Sequence, residues 1–144
     1  MKFKFKLQTV LDVKEKILKQ KQQELADLIT KKINCGKEID QIEEDINTCS
    51  REIEGDDTFS PSDIQIKYDY YHNLLGLKKE KIDHLTHIEV EINDKRHELD
   101  LQNKEVKALE NLKEKKLLEH RIRAEKQNQA LLDEVALRDN RLIH

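Results

Sequence analysis

Stepping by seven from Leu11 gives Leu11, Leu18, Leu25, Lys32, Ile39, Ile46 and Ile53, all but one apolar. A second series begins three residues further on: Lys14, Lys21, Leu28, Cys35, Ile42 and Cys49. Apolar positions alternating at spacings of three and four lie on one helix face, and over several heptads they form a coiled-coil seam. The pattern predicts a first helix over about 5–54. It stops at "EGDDTFSPSD", a turn expected at about 55–60. There Gly55 is placed to end the helix in the left-handed conformation, and Ser60 to cap the next one. Pro61 suits the first helical position, and Asp63 favours the positive end of the new helix. Beyond the turn the sevenfold step returns Ile64, Tyr71, Lys78, Leu85, Ile92, Leu99 and Val106. Tyr68, Leu75 and Ile82 support its first half, and Ile88 and Leu109 continue less evenly. A second helix is predicted over about 61–141.

Two heptad-patterned helices joined by a short turn predict an all-α antiparallel coiled-coil hairpin, read as one rod over residues 1–144. Its arms are unequal, roughly 70 Å and 120 Å at 1.5 Å per residue. Folding back from the turn brings the start of the first helix near residue 110 of the second. The C-terminal stretch beyond is left without an intrachain partner. It still carries Leu118 and Ile122, then Leu131, Val135 and Leu142, with Leu132 and Ala136 beside them. An apolar stripe of this kind marks an interface. Self-association of the stripe is the alternative.

Composition agrees with long helices: 40% of residues are charged and 4% aromatic, too few large side chains for a compact core. The regular Leu and Ile spacing argues against disorder, the other reading of so polar a chain. No apolar run approaches the ~18 residues of a transmembrane helix, so a soluble protein is expected. Cys35 and Cys49 lack a CxxC spacing and read as free thiols of a reducing, cytoplasmic setting, packed in the seam. Charge is sorted along the chain. Residues 1–32 hold nine lysines against four acids, and 101–144 ten basic against eight acidic residues. Residues 33–57 hold two basic and nine acidic residues, and 58–100 six and nine. The open end of the hairpin is therefore basic and the turn half acidic, which points to different partners at the two ends.

Catalytic signatures are missing. There is no Gly-rich phosphate loop, no GxSxG and no HExxH. His84 and His87, with Glu80 and Glu91 a turn to either side, supply at most two ligands on one helix face, short of the three or four that a metal needs. Carboxylates such as Glu43 and Glu44 have no cleft around them. No enzyme activity, cofactor or metal is expected. No nucleic-acid partner is expected, because the basic end is interleaved with acids and offers only Phe3 and Phe5 as aromatics. The opening "MKFKFKLQTVL" alternates with period two, and reads as the start of the first helix or as a short extended lead into it.

Three stretches carry a family resemblance: "FKFKLQTVLDVKEK" at the start, "IQIKYDYYHNLLGLKKEKI" after the turn, and "EKQNQALLDEVALR" near the end. Together they resemble the flagellar FliJ family over nearly the whole chain. The stalk proteins of virulence type III secretion share the design, but the Phe-x-Phe-x-Leu start favours the flagellar branch. The resemblance implies a non-enzymatic, cytoplasmic component of the flagellar type III export apparatus, peripherally associated with the inner membrane. It also implies a stalk in the hexameric export ATPase, a link to the membrane export gate, and general export-chaperone character. On that basis Phe3, Phe5, Leu7, Leu131, Asp133, Glu134, Val135, Arg138 and Leu142 are assigned to the ATPase. Tyr68, Tyr70, Tyr71 and Leu75 are assigned to the gate, with Tyr70 off the seam. A protein monomeric on its own is expected. The alternative is an adaptor coiled coil or homo-oligomeric spacer without a motor role.

Overall fold

A computed structural model describes residues 2–55 and 59–143, and Asp56 and Asp57 of the expected turn lie outside the described residues. Two helices pack against each other: α1 spans Gln8–Gly55 and α2 Pro61–Ile143, the longer of the two. Among the described residues there is no strand. The contacts divide into two compact units, Gln20–Leu99 and Met1–Lys19 with Asp100–His144.

In the unit Gln20–Leu99 the core is narrow. Cys35, Ile39, Ile88 and Ile92 form one buried cluster, with Leu25, Leu28, Ile29 and Leu85 packed around it. Ile42, Cys49 and Leu74 are also buried. On α1 these are the positions that the sevenfold pattern selects, with Ile29 packed beside them. On α2 one expected series is corrected. Tyr68, Leu75 and Ile82 stand exposed, and the seam instead runs through Lys67, Leu74, Lys81, Ile88 and Lys95. The three lysines are half-buried. Their aliphatic stems cover the seam while the ammonium groups reach its edge. There Lys67 pairs with Glu52 at 3.1 Å, Lys81 with Glu38 at 2.7 Å and Lys95 with Glu24 at 2.7 Å. Lys21–Glu98 at 3.0 Å, Lys78–Glu43 at 3.3 Å and Lys32–Glu89 at 3.8 Å complete the ladder. Each advance along α1 meets a matching retreat along α2, which fixes the helices as antiparallel and in one register. Both thiols are free, and each donates across the seam to a lysine carbonyl: Cys35 Sγ to Lys81 O at 3.5 Å, and Cys49 Sγ to Lys67 O at 3.7 Å.

The start of α2 follows its local sequence. The Ser60 hydroxyl accepts from the Asp63 N–H at 3.3 Å, the Ser60 carbonyl accepts from the Ile64 N–H at 3.0 Å, and Pro61 is the first helical residue. The reading of Gly55 as a left-handed terminator is not met. It is the last residue of α1, and no described glycine has a positive φ. A left-handed closing residue sits one step beyond the last helical one, and that step falls outside the described residues. Gly36 and Gly76 lie inside the helices, and a methyl group added to either would meet no atom within 4 Å. Gly36→Ala and Gly76→Ala are each expected to stabilise the fold by up to ~1 kcal/mol, read as a rise in the urea midpoint.

In the unit formed by Met1–Lys19 and Asp100–His144, Leu11 and Val106 are buried, and Lys14 bonds Glu105 at 2.7 Å. Gln102 Nε2 donates to the Lys14 carbonyl at 3.2 Å. α1 begins at Gln8, later than the expected residue 5, and residues 2–5 form the extended lead that was one of two readings of this segment. The Gln8 N–H donates to Phe5 O at 3.1 Å and the Leu11 N–H to Leu7 O at 2.9 Å, which joins lead to helix. Helical pairing in this unit stops near Leu109 and Leu112, both half-buried.

Candidate partner-binding surfaces

Two adjoining surfaces lie in the unit that holds both termini. The first is where residues 2–7 lie along α2. Along this alternating stretch Phe3 and Phe5 are half-buried against the helix, and Lys2, Lys4 and Lys6 are exposed. The Phe3 ring stands 5.6 Å from that of His120, tilted at 49°. Phe3, Phe5, Leu7 and Leu112 form the apolar part of a groove of about 700 Å³, rimmed by basic side chains.

The second surface is the C-terminal part of α2, where every residue from 125 to 142 is exposed. Leu131, Val135 and Leu142, spaced by one and then two helical turns, are 59%, 52% and 84% exposed, and Leu132 and Leu137 flank them. The polar residues assigned to this end hold one another within the helix. Asp133 accepts from Gln129 at 3.1 Å, and Glu134 pairs with Arg138 at 3.5 Å. These are ordinary i,i+4 contacts of an exposed helix. The structure thus brings Phe3 and Phe5 together on α2, leaves Leu7 exposed, and keeps the C-terminal stripe as a separate surface.

The tyrosine-rich stretch belongs to the other unit. Tyr71 lies half-buried on the seam, edge-on to His72 with ring centres 5.8 Å apart. Tyr68, Tyr70 and Leu75 are exposed, at 44%, 52% and 39%. Ile82, 42% exposed, lies on the Tyr68–Leu75 line one heptad further on. The sevenfold spacing of Tyr68, Leu75 and Ile82 on this outer strip of α2 mimics a seam. The lysines at the true seam positions were the signal against that reading. His84 and His87 are exposed, and His87 Nε2 lies 2.9 Å from Glu91. Among the described residues no group of three or more His, Cys, Asp or Glu converges as a metal set, and no helix is long and apolar enough to cross a membrane.

The ladder also shapes the titration of the turn-side unit. A hydrogen bond from Lys95 lowers the Glu24 carboxyl below its ordinary 4.5, one from Lys81 lowers Glu38, and bonds from Lys21 and then Lys95 lower Glu98. Lys81 and Lys95 rise above 10.5 through the hydrogen bonds to Glu38 and to Glu24 and Glu98. The carboxylate contribution is fully present above the unfolded value of 4.5 and is lost as pH falls through the folded values. The lysine contribution is present below 10.5 and is lost as pH rises through the folded values. The urea midpoint is therefore expected to fall on both the acid and the alkaline side of a broad neutral plateau. Lys81→Met with Lys95→Met should flatten both limbs. A midpoint that ignores pH below 4.5 in the native chain would refute the ladder.

A family model described as Flagellar FliJ protein matches residues 3–141. No curated protein and no solved structure matches the chain.

Proposed function

Because this chain belongs to the FliJ family, whose members are components of the flagellar export apparatus, we propose that it acts as a stalk for the hexameric export ATPase. In this reading the unit holding both termini engages the ring. Phe3, Phe5, Leu7 and the Leu131–Leu142 stripe supply the contacts, with Asp133, Glu134 and Arg138 at their rim. The observation that carries this assignment is the C-terminal part of α2. It keeps an apolar stripe where pairing with α1 has ended, so the stripe serves no contact within the described residues. The export gate is assigned to the exposed strip of Tyr68, Tyr70 and Leu75, with Tyr71 behind it on the seam. The protein works in the cytoplasm against the inner membrane, as a monomer before it docks, and shows general export-chaperone character through the same exposed apolar surfaces. The nearly complete use of the seam within the chain supports the monomer.

The test is a titration of the purified protein into the export ATPase of the same genome, following ATP turnover and ring assembly. A rise in both supports the stalk. A second reading, a homo-oligomeric spacer, is favoured by the same exposed stripe, since two copies could bury it together. Tight self-association with unchanged turnover would select the spacer.

A further inference from the structure

We propose that the groove between residues 2–7 and α2 is a docking site for an acidic, apolar peptide segment of a partner protein. The groove is lined by residues 2–7 together with Leu112, Lys116, His120 and Arg123. None of these is acidic, and five carry a fixed positive charge. The nearest compensation is Glu119, on the same helix, which stands 3.7 Å from Lys116 and 3.8 Å from Arg123 and leaves the lysines of the lead unmatched by it. A site apolar along its floor and basic along its rim is complementary to a chain that alternates large apolar side chains with carboxylates. Carboxylates on the rim steer the encounter, and the apolar side chains supply the burial that holds it.

The period of the lead makes this fit specific. In an extended chain, side chains alternate between two sides at ~3.3 Å per residue. Phe3 and Phe5 are accordingly half-buried against α2, while Lys2, Lys4 and Lys6 stay exposed along the rim of the groove. A bound segment running beside the lead would meet the same alternation. An anionic lipid surface would also suit basic and aromatic residues. It would need Phe3 and Phe5 outward, however, and both are half-buried, with the Phe3 ring against His120. The geometry favours the peptide.

This inference rests on the reading that the end of the chain holding both termini is a docking end, but not on the ATPase being the partner. The experiment therefore uses the full chain without any ATPase. The probe is a short fluorescein-labelled peptide alternating glutamate with leucine, read by anisotropy and by the NMR signal of the His120 ring. Binding that shifts His120 and weakens with added salt is expected, because the screening length is about 10 Å at 0.1 M. Lys4→Glu with Lys6→Glu should weaken binding at least about tenfold, and so should Phe3→Ala with Phe5→Ala, each a loss of ~1.4 kcal/mol or more. Both pairs lie outside the helices, so helicity should not change. Polyglutamate of equal length should bind at least about tenfold more weakly. No binding of the probe, equal binding of polyglutamate, or binding indifferent to both variants overturns the proposal. So does preferential binding to phosphatidylglycerol vesicles. Leu131→Asp with Val135→Asp should leave the probe's affinity unchanged, which separates this groove from the C-terminal stripe. Loss of ATPase stimulation with the probe still bound would be a failure of the stripe alone.

Discussion

Ile92→Asp is expected to unfold the turn-side unit at neutral pH, whereas Val90→Asp, two residues away, leaves it folded. Ile92 is 4% exposed and packs in the cluster with Cys35, Ile39 and Ile88. The substitution removes one of the four buried side chains of that cluster and leaves a buried carboxylate with no partner. The two effects together amount to about 3–5 kcal/mol or more. Domains retain only roughly 5–15 kcal/mol in total, and a two-helix seam lies at the low end. Val90 is 51% exposed, where a charge costs within about 0.5 kcal/mol. Far-UV circular dichroism through a urea titration reads both variants. Equal midpoints would mean that the cluster is not what holds the two helices together.

Leu131→Asp with Val135→Asp is expected to abolish ATPase stimulation while leaving the urea midpoint of the native chain. Both side chains are more than half exposed, so the fold has little to lose. In a docked complex they would be apolar anchors, and anchors of this kind cost about 2 kcal/mol or more each on truncation. At 1.4 kcal/mol per tenfold, the pair weakens docking more than about a hundredfold. The companion variant neutralises Asp56 and Asp57, which lie between the two helices in sequence, and should leave stimulation unchanged. If the turn variant loses stimulation and the C-terminal variant keeps it, the ring holds the other end of the molecule.

The two packed helices and the helix start at Ser60 and Pro61 were legible in the sequence because each rests on local chemistry. Heptad spacing needs no tertiary context, and a Ser-Pro-x-Asp start satisfies its own first turn. The second seam series was not legible. Apolarity ranks Tyr68, Leu75 and Ile82 above Lys67, Lys81 and Lys95. Yet a lysine can bury its stem and still keep its charge at the edge, provided that a glutamate waits on the other helix. Knowing that required the pairing of two distant segments, such as Lys81 with Glu38. The lead was half legible. Period two spoke for an extended segment, but only the fold places Phe3 beside His120. The C-terminal stripe was visible as unpaired from helix lengths alone, because a count of residues suffices for that.

The lysines of α2 also recur at twice the heptad, at Lys67, Lys81 and Lys95, with Leu74 and Ile88 between them. Suppose that the two helices of the turn-side unit slid past each other by one heptad. Glu38 would then face Ile88 in place of Lys81, Glu52 would face Leu74 in place of Lys67, and Lys32 would meet Arg96. A uniform heptad would have offered the same contacts at every step, so the pair could creep under load. This one behaves as a toothed lock whose teeth are spaced at twice the stride of the chain. Pulling along α1 must therefore break the whole set of ion pairs together before any new set can form, so tension applied at one end of this unit arrives at the other as tension and not as slip.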